Sequence, residues 1–282
     1  MDIGIYSHAF GRSTLGDVLD AIAGHGLHAI QLNLENAGLP TLPAEIAPAA
    51  VAQIRRELDA RGMTVAALAG TYNMIDPDLA KRRVGLERLA VLAAASAGLD
   101  ASVITLCTGT RDPSNMWRRH PDNDSPDAWR DLVEVMAQAA RIAEANQVTL
   151  AFEPEVANVV DSAQKARRLL DEIRSPHLKV CIDGANLFHT GELPRMHEIL
   201  DEAFELLGDD IALAHAKDLD HDGAAGHLPA GHGLLDYDQY LGLLQRAGYS
   251  GAVILHGLTE AQIDGCVEFL RNKLARLDAA QD

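Results

Sequence analysis

VTLAFEPEVANVVDSAQKARRLLDEIRSPHLKVCID, residues 148–183, holds two short apolar runs, VTLAFE from Val148 and LKVCID from Leu178, separated by a longer polar stretch. A run this short, rich in Val, Ile and Leu and bounded by turn residues, reads as a strand buried on both faces, which is the condition of strands in a parallel sheet. Six more runs of the same kind occur: DIGIYS from Asp2, HAIQLNL from His28, TVAALAG from Thr64, SVITLC from Ser102, IALAH from Ile211 and AVILH from Ala252. Helical patterns lie between them. Their predicted starts are Asp76 with Pro77, Ser125 with Pro126, Asp236 with Gln239, and Thr259 with Gln262, the last two spaced as capping boxes. Eight strand–helix units with no Pro/Gly/Ser linker predict a single (β/α)8 barrel over residues 1–276, with residues 277–282 as a short polar tail. An open doubly wound sheet is the competitor, but SHAFGRSTLG after the first run supplies no GxGxxG, and no Walker A motif occurs.

Charge narrows the partners. Lys and Arg number 24 against 41 Asp and Glu, a formal charge of −17. Phosphate backbones and anionic membranes repel such a chain, so neither nucleic acid nor a membrane is an expected partner. Aromatic residues make up 4% of a chain that is 48% hydrophobic, so the core must be built from Ala, Leu, Val and Ile. The start, MDIGIYSHAF, lacks the basic and long apolar regions of a secretory signal, and the apolar run from Leu89 to Leu99 is too short to span a membrane. A cytoplasmic protein is expected. Cys107, Cys181 and Cys266 form no CxxC pair and read as buried free thiols.

A barrel of this class builds its site at the carboxyl ends of its strands. Those ends carry Ser7 and His8, Asn33 and Glu35, Thr71 and Asn73, Thr108, Glu153, Asp183, His215 and His256. The last four stand on consecutive strands, 30, 32 and 41 residues apart, so each is one unit from the next and all can converge at one mouth. Taken singly, Asp183 reads as the cap of an Asx turn and His215 as a hydrogen-bonded core histidine. Taken together, four ionisable groups ending apolar strands need a shared partner. Two carboxylates and two imidazoles suit one divalent ion, with Mn²⁺ preferred and Mg²⁺, Co²⁺ and Zn²⁺ as alternatives.

The runs AFEPE, CIDGANL and AHAKD, the glycine-rich GHGLLDYDQYLGLLQRAGYSG and the final VILHGL resemble the sugar isomerase/epimerase superfamily with the xylose-isomerase-like TIM barrel, over nearly the whole chain. The resemblance implies that Glu153, Asp183 and His215 bind one divalent metal. The family's usual fourth ligand, a glutamate, is replaced here by His256, which then serves as a neutral ligand or as a proton carrier. The substrate-binding histidine often found three residues after the aspartate is replaced by Asn186. Lys217 resembles the substrate-contacting basic residue of related enzymes and could stabilise an enolate oxygen.

Glu155, two residues after Glu153, reads as a second acid or as the partner of a basic residue. His8 and, from the glycine-rich loop with His221 and His227, His232 are expected to face the substrate. The segment from Gly109 to Asn123 holds Arg111, Trp117, Arg118, Arg119 and His120. Arg111 and Trp117 are expected to meet a sugar or anionic substrate, with a surface or homo-oligomer contact as the alternative. The function that the resemblance implies is a metal-dependent isomerase or epimerase of a small polyhydroxylated carbonyl compound, a keto or aldo sugar, sugar phosphate or keto-inositol, acting through an enediolate. Glu153 is the expected base, and His256 or Glu155 returns the proton. Expulsion of a β-substituent would make the same site a dehydratase or lyase. Two further readings are an endonuclease IV-like phosphodiester hydrolase, which shares the barrel, and a sugar-binding barrel without activity.

Overall fold

The computed structural model describes residues 1–279. All eight predicted runs are strands: β1 (Asp2–Tyr6), β2 (Ala29–Leu32), β3 (Thr64–Ala69), β4 (Val103–Cys107), β5 (Thr149–Glu153), β6 (Leu178–Asp183), β7 (Ile211–Asp218) and, after a two-residue β8 (Leu228–Pro229), β9 (Ala252–Leu255). Each pairs in parallel with the next, and β9 pairs with β1, which closes the ring. The protein is thus a closed (β/α)8 barrel. Eight helices surround it: α1 (Leu15–Gly24), α2 (Pro48–Asp59), α3 (Leu79–Ser96), α4 (Pro126–Asn146), α5 (Ala163–Ile173), α6 (Met196–Leu207), α7 (Tyr237–Arg246) and α8 (Ile263–Ala279). No helix among the described residues is long and apolar enough to cross a membrane.

Local chemistry sets the helix starts. Ser125 accepts a hydrogen bond from Ala128 N, Asp236 from Gln239 N, and Thr259 with Gln262 forms the expected capping box. α3 starts later than predicted, because Asp76 accepts from Asp78 N in a turn of its own and Asp78 then caps the helix by accepting from Ala80 N. α8 runs on to Ala279, so it takes in the first three residues of the stretch read as a tail, and residues 280–282 lie outside the described residues. The barrel-facing stripe of α5, Ala163, Ala166, Leu169 and Leu170, shows the helical repeat that seats such a helix on a sheet.

The barrel interior explains where the site lies. Ala29, Ala67, Val103, Ala151, Cys181, Leu213, Ala252 and Ile254 form an apolar cluster of their own, made largely of small side chains. Gly4 belongs to the same economy of space: a Cβ there would sit 2.6 Å from Ile254 Cδ1 and 2.7 Å from the Ala29 carbonyl oxygen. Side chains two apart on a strand share a face. Two residues beyond Ala29, Val103, Ala151, Cys181, Leu213 and Ile254 stand Gln31, Thr105, Glu153, Asp183, His215 and His256. A polar storey therefore rests directly on an apolar floor.

Candidate active site

Strand register brings the expected acids and histidines together. Asp183 lies beside His215, and His215 beside Ile254, across the β6–β7 and β7–β9 ladders. The carbonyl oxygens at this level are tied to α7: the Tyr240 hydroxyl donates to Ile182 O (3.1 Å) and His215 O (2.9 Å), and the Tyr237 hydroxyl donates to Lys217 O (2.8 Å).

His215 is oriented from below. The Gln31 amide nitrogen donates to Thr105 Oγ1 (3.1 Å), so its carbonyl oxygen faces His215 Nε2 at 2.7 Å and accepts a hydrogen bond from it. The other ring nitrogen, Nδ1, then presents its lone pair 3.4 Å from Glu153 Oε1. Two acceptors held so close call for a cation or a proton between them. Asp183 serves both of its readings, one per oxygen. Its Oδ1 accepts from Ala185 N (3.0 Å) and caps the turn, while Oδ2 faces the cluster.

Two buried atoms of this cluster, His215 Nδ1 and His256 Nδ1, have no hydrogen-bond partner among the described residues, and Asp183 Oδ2 is met by the Lys217 ammonium. Buried polar atoms are normally paired, so two orphan nitrogens beside two carboxylates fit a ligand that binds them. The His215 and His256 rings meet edge to face at 5.2 Å, and Tyr6 packs on His256 at 5.1 Å. Donor atoms of Glu153, Cys181 and His215 lie within 4.8 Å of one another. Cys181 is buried and free as predicted, but its place at this cluster was not anticipated. Two carboxylates with imidazoles fit a divalent ion that accepts both oxygen and nitrogen.

Lys217 is the cation the structure itself places here. Its Nζ lies 3.2 Å from Asp183 Oδ2 and 3.8 Å from Glu153 Oε1. Burial would lower its proton affinity, yet Asp183, Glu153 and Glu155 raise it well above the ordinary lysine value, so it stays charged. Glu153 is the mirror case: burial pushes its carboxyl up, but His215 and Lys217 hold it well below the usual range, and it is ionised. For Asp183 burial wins over Lys217, with Glu153 adding repulsion, and its proton affinity is raised. Glu155 is pushed up to about 7 by burial, which outweighs Lys217 and is reinforced by Glu153 and Asp183. Burial, then Lys217 and His215, drive His256 well below its ordinary value. That direction favours the neutral imidazole, the form in which a histidine serves as a metal ligand.

Asn186 donates to Glu153 Oε1 at 2.6 Å and accepts from Gly226 N at 2.8 Å. His8 lies at the rim, stacked on Tyr6 at 5.8 Å and 3.6 Å from Glu35. It lines a mouth cavity of about 590 Å³ together with Tyr6, His227 and His256. His227, rather than His232, lines this mouth cavity, although both are exposed; His232 Nδ1 lies 3.4 Å from Ala230 O.

The arginine-rich loop is not brought to the cluster. Arg111 pairs with Asp131 at 2.5 Å and donates to Ile75 O. Arg118 is held by Asp112, and Arg119 by Asp124 and Asp161. Trp117 stands exposed. Each guanidinium is answered by a carboxylate, so the charge of these arginines is neutralised within the loop and its neighbours. Gln31, Tyr6 and Cys181 were missed. Gln31 and Cys181 carry a readable signal, since each lies two residues before a strand-end polar residue on the same face.

A family model described as a xylose isomerase-like TIM barrel matches residues 19–273. No curated protein matches the chain by sequence. Among solved structures, the chain is similar to a D-tagatose 3-epimerase-like protein (15% identity, 100% of each chain covered, TM-score 0.79). It is also similar to a xylose isomerase-like TIM barrel protein from Mycobacterium smegmatis in complex with magnesium (15% identity, 98% of this chain and 97% of that one, TM-score 0.76). A third is 3-keto-D-glucoside 4-epimerase from E. coli (18% identity, 99% of each chain, TM-score 0.70).

Proposed function

Because the chain belongs to the xylose isomerase-like TIM barrel family, we propose that it is a divalent-metal-dependent isomerase or epimerase of a small keto or aldo sugar, acting through an enediolate. The observation that carries this reading is the convergence of Glu153, Asp183, His215 and His256, with the buried Nδ1 atoms of both histidines left without a hydrogen-bond partner among the described residues. Those four residues would hold the ion, with Mn²⁺ preferred. When bound, the ion supplies a Lewis acid that polarises the substrate carbonyl and stabilises the enediolate. The names of two structural neighbours, a D-tagatose 3-epimerase-like protein and 3-keto-D-glucoside 4-epimerase, support the same class of substrate.

The protein's own groups divide the remaining work. The Glu153 contacts to Asn186, His215 and Lys217 all fall on Oε1, so Oε2 is the atom left to take the proton α to the carbonyl. Its ionised state at neutral pH suits a base. The Lys217 ammonium lies beside Glu153 and stabilises negative charge that develops on the substrate oxygens. Glu155, whose carboxyl burial pushes up to about 7, is the second acid assigned here to return the proton. The buried His215 packs edge to face with the half-buried His256, and His256 with the half-buried Tyr6, so these rings form one wall of the site.

The test is incubation of the manganese-loaded protein with a panel of ketoses and aldoses in D₂O, followed by NMR. At least one sugar is expected to exchange its α hydrogen, and Glu153→Gln is expected to slow that exchange by about 10²–10⁴-fold. A stereoisomeric product identifies the epimerase or isomerase; loss of water from the exchanging sugar would identify a dehydratase instead. No exchange across the panel by folded, metal-loaded protein refutes the enediolate reading.

A further inference from the structure

The hairpin that follows β7 carries a second group of metal-competent side chains, separate from the barrel cluster. Its base is rigid. Asp218 is buried, and its Oδ1 accepts from Leu219 N and Leu235 N (2.9 Å each) while Oδ2 accepts from Gly231 N (3.0 Å). β8 pairs antiparallel with the end of β7, placing Lys217 opposite Pro229 and Asp218 opposite Leu228. From this base Asp220 and His221 leave on one arm and His227 returns on the other.

These three side chains converge on one point. His221 Nδ1 lies 2.5 Å and His227 Nε2 2.8 Å from the same carboxylate oxygen, Asp220 Oδ1. The two imidazole centroids are 4.4 Å apart. Two rings aimed at one solvent-exposed oxygen are a costly arrangement in water, because each must be ordered for a hydrogen bond that water could replace. A divalent cation takes a lone pair from each of the three groups at once.

We propose that Asp220, His221 and His227 form a second cation site, for an ion of borderline hardness such as Zn²⁺ or Co²⁺, that locks the hairpin over the barrel mouth. Two imidazoles and one carboxylate select such ions over Mg²⁺ or Ca²⁺, which favour all-oxygen sets. Donors about 2.0–2.1 Å from a tetrahedral ion lie about 3.3 Å apart. The observed contacts of 2.5 and 2.8 Å therefore open by less than an ångström, a side-chain adjustment on an exposed loop. The fourth position faces water.

The lock acts on the site through one residue. His227 lines the mouth beside His256. Its neighbour Gly226 donates to Asn186 Oδ1, and Asn186 in turn donates to Glu153. A side chain at Gly226 would collide with Ala185, its Cβ falling 2.6 Å from that of Ala185, so this arm seats against the turn after β6 only because residue 226 is bare. Tying Asp220 and His221 to His227 holds the arm, and with it the Asn186 bond that orients the base.

The experiment compares the wild-type protein, Asp183→Asn, which disables the barrel cluster, and the double variant His221→Ala/His227→Ala. Folding of each is checked by circular dichroism. Zn²⁺ is titrated calorimetrically in excess Mg²⁺, with Co²⁺ absorption as a second readout and proteolysis within residues 219–227 as a third. Asp183→Asn is expected to keep one Zn²⁺ equivalent that protects the hairpin from cleavage. The double variant is expected to lose that equivalent, by at least tenfold in affinity, while retaining the barrel equivalent. If the double variant binds and protects as the wild type does, or if Asp183→Asn binds no Zn²⁺, the loop site is overturned. Should Asp183→Asn fail to fold, the same decision rests on whether wild type and double variant differ by one equivalent. Loss of the barrel equivalent alone bears on the proposed enzymatic function and leaves the loop site standing.

Discussion

Replacing Glu155 with Gln tests whether burial at the mouth of this barrel is as complete as the structure makes it. The carboxyl is 5% exposed, and its proton affinity is raised from the ordinary 4.5 to about 7, by burial first and by Glu153 and Asp183 against the opposing pull of Lys217. Between those two values the folded chain holds a proton that the unfolded chain has released. Stability therefore contains a contribution that is complete below pH 4.5 and is lost as pH rises through about 7. At about 1.4 kcal/mol per tenfold in proton affinity, the loss amounts to about 3 kcal/mol. Glu155→Gln has no proton to lose. Urea unfolding of both proteins with a chelator present, at pH 5 and pH 8, isolates this contribution, since any pH-independent cost of the substitution cancels in the difference of differences. The variant is expected to gain about 2–3 kcal/mol on the wild type between the two pH values. Parallel stability curves would show that the Glu155 carboxyl is solvated, and would remove it as the residue that returns a proton near neutral pH.

Other outcomes follow from the same contacts. Asp183→Ala and His215→Ala should each weaken Mn²⁺ binding, measured by calorimetry, by more than the roughly 10–100-fold typical of changes outside the ligand set. Asn186→Ala removes the 2.6 Å bond to Glu153 and should lower kcat about 10–100-fold with little change in KM in steady-state assays on the sugar that exchanges. Gly85→Ala places a Cβ inside the Tyr72 ring and should cost about 1–3 kcal/mol of stability in urea unfolding, with metal affinity unchanged.

The barrel was legible because its strands are buried on both faces. TLAFE, LKVCID and AVIL carry that condition in their residues, and it survives whatever the loops do. Glu153, Asp183, His215 and His256 were legible for the converse reason, as polar groups at the ends of apolar strands that cannot be placed cheaply. The pairing of Arg111, Arg118 and Arg119 was not legible because their partners are distant in the chain or ordinary in kind: Asp131 and Asp161 stand on other segments and look like surface acids until the fold brings them close. Gln31 escaped notice since a neutral amide inside AIQL raises no electrostatic question until His215 is found above it. His227 and His232 are five residues apart in one glycine-rich loop, and only the pairing of β8 with β7 decides which of them turns to the mouth.

The two-residue offset between the apolar floor and the polar storey has a consequence for insertions and deletions. Losing one residue before Glu153 in β5 would turn Phe152, now packed under the helices, into the lumen and send Glu153 outward among apolar side chains. The same reversal would follow in β6 or β7, where Asp183 and His215 would change places with Ile182 and Ala214 or their following neighbours. Length changes are thus confined to the segments outside the ladder, such as the connection from Gly109 to Asn123 or the turn at Gly62, whose Cβ would meet open space. New specificities can be acquired on this scaffold by lengthening loops and exchanging side chains, while the reading frame of the strands must stay as it is.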